Sequence, residues 1–130
     1  GGPLFGRKQG DALEVLLAGP SGYPWWYVDG SAPLDPDERY LLGWSDCVEV
    51  MHEGRVDWVG NWLAYADSAL PEVREDLVWL KQGARQGLFD DRHALVVVGW
   101  DEGSLTGRAY GHDFGDAVYL ACSLGALPHP

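Results

Sequence analysis

Apolar and polar positions alternate along this chain in short blocks, and the spacing within each block predicts its element. His93–Trp100, "HALVVVGW", carries consecutive valines and is apolar on both parities, the pattern of a strand buried on its two faces. Asp101–Gly107 turns it, and Arg108–His112 reads as the antiparallel return strand. Earlier in the chain, Ala12–Gly19 ("ALEVLLAG") and Trp25–Asp29 ("WWYVD") flank a Gly-Pro-Ser turn and are expected to pair as a hairpin. The proline-containing stretch Gly30–Glu38 is a surface loop. Arg39–Trp44 and Cys47–His52 are strand-like. In the second, Val48, Val50 and His52 share one face and Cys47, Glu49 and Met51 the other, before a glycine turn into Val56–Gly60.

The middle reads as helix. Asn61 is a natural N-cap for "NWLAYADSAL", which sets Trp62, Tyr65, Ala66 and Ala69 at helical spacing. Pro71 then opens a second helix with Glu72, Glu75 and Asp76 in its first turns and Lys81 and Arg85 towards its end, as the helix dipole favours. Val73, Leu77 and Leu80 form its apolar stripe, and Gly83 or Gly87 stops it. In Asp116–Leu127, Ala117, Leu120, Ala121 and Leu124 have helical spacing; Val118 and Tyr119 would equally suit a strand, and helix is the reading adopted. The sum is an α+β domain spanning 1–130, with a mainly antiparallel sheet of five to six strands, two central helices and a C-terminal helix.

Composition narrows the function. Of 130 residues, 46% are apolar, which suits one globular core, and the aromatic share includes 7 Trp. Twenty acidic residues against nine basic ones give a net charge of −11, which repels the phosphate backbone of nucleic acids and suits a basic protein or peptide partner. Cys47 and Cys122 form no metal or redox spacing and are expected as small buried hydrophobes. No apolar run is long enough to span a membrane and no leader pattern opens the chain, so the expected compartment is the cytoplasm. No cofactor and no oligomeric state follow from the sequence.

Three polar clusters could carry chemistry, one of them Asp101-Glu102 at the end of the valine strand, where two acids could hold magnesium. In "GRAYGHDFGDAVYLAC", Asp113 or Asp116 can cap the expected last helix, and Gly111 and Gly115 can make its sharp entry. His112 is left as a candidate general base or metal ligand, oriented by Asp113 or Asp116. In "FDDRH", Asp90, Asp91 and His93 offer oxygen and imidazole donors to a divalent cation. If Arg108–His112 pairs with His93–Trp100, His112 lies back towards His93, so a joint centre would draw on His93, His112 and Asp90 or Asp91. "ACSLGA" has the spacing of a hydrolase nucleophile elbow at Ser123, but only His129 follows it. "LEVLLAGPSGYPWW" resembles the first hairpin of Nudix hydrolases; the glutamate-rich box of that family is absent, so the resemblance implies no activity.

The aromatic stretches Trp25, Trp26 and Tyr27, and Trp58 with Trp62, are candidate binding anchors. Two expectations result, beside which a structural subunit or oligomer-interface domain is equally compatible with the sequence. The first is a small acidic module that binds or inhibits another macromolecule at a basic site, through an acidic surface and Trp/Tyr anchors. The second is a small metal-assisted or acid–base hydrolase centred on His93 and His112.

Overall fold

The computed structural model describes residues 1–20 and 38–123. In chain order the elements are β1 (Gly2–Gln9), β2 (Ala12–Ala18), α1 (Glu38–Met51), β3 (Asp57–Ala69), α2 (Val73–Arg85), β4 (Ala94–Asp101), β5 (Ser104–Asp113) and β6 (Asp116–Leu120). The strands form one mixed sheet ordered β2-β1-β3-β4-β5-β6. β3 and β4 run parallel with α2 as their crossover, and every other neighbouring pair is antiparallel.

Several expected elements change type. Arg39–Trp44 and Cys47–His52 are not strands but the body of α1. Leu41, Trp44 and Val48 recur at helical spacing, and Val48 is buried with Phe5 and Val56 under the flank of Trp44. The predicted helix from Asn61 is instead β3, the strand between β1 and β4. There Asn61 and Leu63 are buried on the helix-bearing face, with Tyr65 half-buried against the same core, a period of two that coexists with the helical one. Ala12–Ala18 pairs with β1, so its hairpin partner is upstream; the expected partner Trp25–Asp29 lies outside the described residues.

The predicted C-terminal helix is replaced over Asp116–Leu120 by β6, an edge strand with Tyr119 opposite Tyr110 and Ala117 opposite His112. Its turn, Phe114 (φ 50°) and Gly115 (φ 84°), has two successive left-handed residues, the geometry that closes a two-residue hairpin. The reversal between β4 and β5 uses the same device at Glu102 and Gly103.

α2 matches expectation in place and departs from it in orientation. It stops at a Schellman motif: Leu88 N–H donates to Gly83 O (2.9 Å) and Gly87 N–H to Ala84 O (3.1 Å), with Gly87 at φ 82°. The buried face, however, is Asp76, Leu80 and Gly83; Val73 and Leu77 are 42% and 40% exposed. Gly83 is where the Phe89 ring meets the helix, and a Cβ there would stand 2.2 Å from Phe89 Cε2. The larger core, Leu63, Leu80, Leu88, Phe89, Leu95, Val97 and Tyr110, lies beneath α2, and Trp58 joins it to the smaller core beneath α1. Both helices therefore cover the same face of the sheet. Of the cysteines expected to be buried, Cys122 is half-buried and Cys47 is exposed on α1, its thiol 3.7 Å from Met51 Sδ.

Candidate functional site

After the Schellman stop the chain must reverse into β4, and Asp90 organises that reversal. Its Oδ1 accepts the backbone N–H of Arg92 (2.8 Å) and of His93 (2.9 Å), together with the His93 ring through Nδ1 (2.7 Å). Burial pushes the Asp90 carboxyl up, but these hydrogen bonds and the histidine's charge outweigh it and hold the group below its usual range. The His93 ring stacks on the Trp58 indole at 4.0 Å and 31°. The indole is fixed in turn, its Nε1–H shared between Gly60 O (2.8 Å) and Asn61 Oδ1 (3.1 Å). With Nδ1–H donating to Asp90, Nε2 is the nitrogen left for chemistry.

Asp91 turns elsewhere and accepts the Gly115 N–H at 3.3 Å, tying this loop to the β5–β6 turn. At the tip of that turn Phe114 is 94% exposed in its left-handed conformation, between the exposed Asp113 and Asp116. One end of the sheet thus presents an exposed aromatic ring flanked by Asp113 and Asp116, with Asp91 held against the same turn.

The sequence-derived site residues are only partly brought together. Asp90 meets His93. His112 is half-buried on the face of β5 that bears Tyr110, and its buried Nδ1 has no hydrogen-bond partner among the described residues. Among the described residues no group of three His, Cys, Asp or Glu side chains is placed to hold a metal ion. Asp113 flanks a hairpin turn and caps no helix. Trp58 and Trp62 are half-buried and spend their indole N–H groups on their own chain, Trp62 on Gly19 O at 2.8 Å. Trp25, Trp26 and Tyr27 lie outside the described residues.

Two features escape a sequence reading. One is Phe114. The other is a buried ionic cluster between α2 and β5, where Asp76 Oδ2 accepts Tyr110 Oη–H (2.5 Å) and pairs with Arg108 Nη2 (2.9 Å). Arg108 also donates to Pro71 O (2.5 Å), clamping the start of α2 to the sheet. Burial drives the Asp76 carboxyl above its ordinary value despite the hydrogen bond from Tyr110 and the charge of Arg108. The Tyr110 phenol is likewise pushed up, first by burial and then by its bond to Asp76. The signal for this cluster was present in α2: Asp76 is the acid in register with Leu80 and Gly83.

No described helix is long and apolar enough to cross a membrane. No family model matches this chain, and no curated protein matches it.

Proposed function

We propose that this chain is a small acidic binding module that engages a basic site on a protein partner, with the Phe114 turn as its aromatic anchor. The observation that carries this reading is Phe114 itself. A phenylalanine 94% exposed at positive φ gains little from its own fold, and the left-handed conformation costs a residue with a Cβ about 1–2 kcal/mol. Strain held at an exposed position is a reason to look for function there. Seated in an apolar recess of a partner, the ring would contribute about 1.5–3 kcal/mol. The aspartates around it would pair with a basic rim, and the net charge of −11 would speed encounter with a cationic surface.

The test uses an array of peptides combining Lys/Arg with an apolar core, read by fluorescence anisotropy at low and high salt. Hits that weaken as salt rises and lose at least tenfold affinity with Phe114→Ala support the module. Hits indifferent to Phe114→Ala, or no hits, remove the reading.

A second reading rests on the Asp90–His93 pair. A carboxylate fixing one ring nitrogen and an indole fixing the ring plane pre-organise Nε2 as a general base. Turnover of a chromogenic ester or phosphate panel, lost in His93→Gln with the fold intact, would support it. A panel with no turnover would count against it.

A further inference from the structure

The outer face of α2 runs against the charge of the whole chain. Arg74, Val78, Lys81 and Arg85 fall at i, i+4, i+7 and i+11, a single helical stripe, and all four are exposed, Val78 at 63%. This places three of the nine basic residues on one helix face of a chain with net charge −11. Leu77 and Val73 extend the apolar part of the surface along one flank. The acids at the helix start neutralise Arg74 and leave Lys81 and Arg85 as the charged part of the ridge. Glu72 bonds Arg74 Nε at 2.9 Å at the first turn, Asp76 is buried with Arg108, and Glu75 stands at the N-terminal end away from Lys81 and Arg85.

The orientation has a cause. Arg108 and Tyr110 draw the Asp76 carboxylate inward, which rotates the apolar Val73–Leu77 edge and the cationic stripe outward. A helix that buries a carboxylate and exposes valine and leucine is the converse of an ordinary surface helix.

Resting on the binding-module reading, we propose that the basic site recognised by the Phe114 turn is the α2 outer face of a second copy of this chain. The chemistry of the two surfaces is complementary. The turn offers one exposed ring flanked by Asp113 and Asp116, with Asp91 held against Gly115; the ridge offers an exposed Val78 and its neighbour Leu77 beside Lys81 and Arg85. Phe114 seats on Val78 and Leu77, while Asp113 and Asp116 approach Lys81 and Arg85. The two surfaces belong to different parts of the chain, so the contact is head-to-tail, and it closes into a ring or continues as a filament. One turn against one helix face is a small interface, so the association is weak, in the range of transient encounters. The net charge of each copy opposes it at long range, and salt near 0.15 M, with a screening length of about 8 Å, suppresses that repulsion more than the close pairs.

The test is sedimentation of the whole chain up to hundreds of micromolar at that salt. The wild type should self-associate. A tip variant, Phe114→Asn/Asp116→Asn, and a ridge variant, Val78→Glu/Lys81→Glu, should each lose at least tenfold in association while keeping the native circular dichroism. Mixed, the two variants still offer one intact tip and one intact ridge, and should form a one-to-one dimer that grows no further. A wild type that stays monomeric, variants that associate as the wild type does, or a mixture that stays monomeric overturns the proposal. Failure here is separable from failure of the module reading. A monomeric chain that still binds basic peptides through Phe114 retains its function and has a different partner.

Discussion

Replacing Asp76 by alanine tests whether one buried ion pair seats α2. The carboxylate is fully buried, and it is both the acceptor for Tyr110 and the counter-charge of Arg108, whose side chain is only 17% exposed. Removing it takes the counter-charge from a buried guanidinium that Pro71 O still holds, and takes from the Tyr110 phenol its carboxylate acceptor. Breaking one side of such a pair costs about 3–5 kcal/mol, against a typical whole-domain stability of about 5–15 kcal/mol. The fall should appear as a lower urea midpoint with an unchanged slope. The triple variant Asp76→Leu/Arg108→Met/Tyr110→Phe, which removes the polar groups together, should recover most of that loss. A single-variant cost below about 1 kcal/mol would refute the argument, because the outward rotation of Val73 and Leu77 would then need another cause.

The same residue gives the pH dependence a definite sign. Because burial raises the Asp76 pKa above its unfolded value near 3.9, the native state binds that proton more tightly than the unfolded chain. Its contribution to stability therefore grows as pH falls through the native pKa, is complete below the unfolded value, and is lost as pH rises again. Asp90 acts oppositely: its pKa is lowered, so its contribution is present above the unfolded value and is lost as pH falls through the native one. On acidification from neutrality, the wild type should gain stability relative to Asp76→Asn. At lower pH it should lose stability relative to Asp90→Asn. Parallel curves for wild type and Asp76→Asn would contradict the assignment.

Other substitutions have equally direct readouts. Gly60→Ala would place a Cβ 2.0 Å from Ala94 O, a backbone atom of the parallel neighbour, and should cost about 3 kcal/mol or more in urea unfolding. Leu95→Ala, at a fully buried position of β4, should cost about 2–5 kcal/mol by the same measurement. Gly83→Ala gains up to about 1 kcal/mol of helix propensity but drives the Phe89 ring from its seat, and should lower the melting temperature. Phe114→Asn, which creates the Asn-Gly sequence favoured in such a turn, should stabilise the hairpin by about 1 kcal/mol while abolishing peptide binding.

What the sequence disclosed was local. The place of α2 was readable from Pro71 before it and Gly87 after it, and β4 from its valines, because those signals act within a few residues of the structure they cause. β3 was misread because its helical period, Trp62–Tyr65–Ala66–Ala69, competes with the alternation Asn61–Leu63–Tyr65. Pairing with β1 on one side and β4 on the other decides between them, and no local pattern contains that pairing. α1 was misread for the converse reason, since the alternation in Cys47–His52 is shorter than the Leu41–Trp44–Val48 stripe that meets Phe5. The apolar face of α2 was assigned from valine and leucine alone. Its real orientation depends on Arg108 and Tyr110, far along the chain. At the candidate site, Asp90, Asp91 and His93 stand together in the sequence as donors for a cation, while the structure bonds Asp90 to His93 and turns Asp91 to Gly115. The role of Asp113 as a helix cap failed with the helix it was to cap.

Two positions depart from local rules in the same direction, alongside others such as the left-handed Glu53 and Glu102 and the exposed leucines of β2. The β5–β6 turn places a phenylalanine where asparagine or glycine would relieve the backbone, and leaves its ring in water. α2 turns a carboxylate inward and an apolar, cationic stripe outward, at the cost of a buried charge. Neither departure improves the core, because an apolar residue at 76 and a turn former at 114 would each serve it better. What both do is alter the surface: one projects an aromatic ring among aspartates, the other displays valine and leucine among arginine and lysine. Local rules broken without gain to the fold are accounted for when the gain lies in what the surface meets. Here the two altered surfaces are complementary to each other.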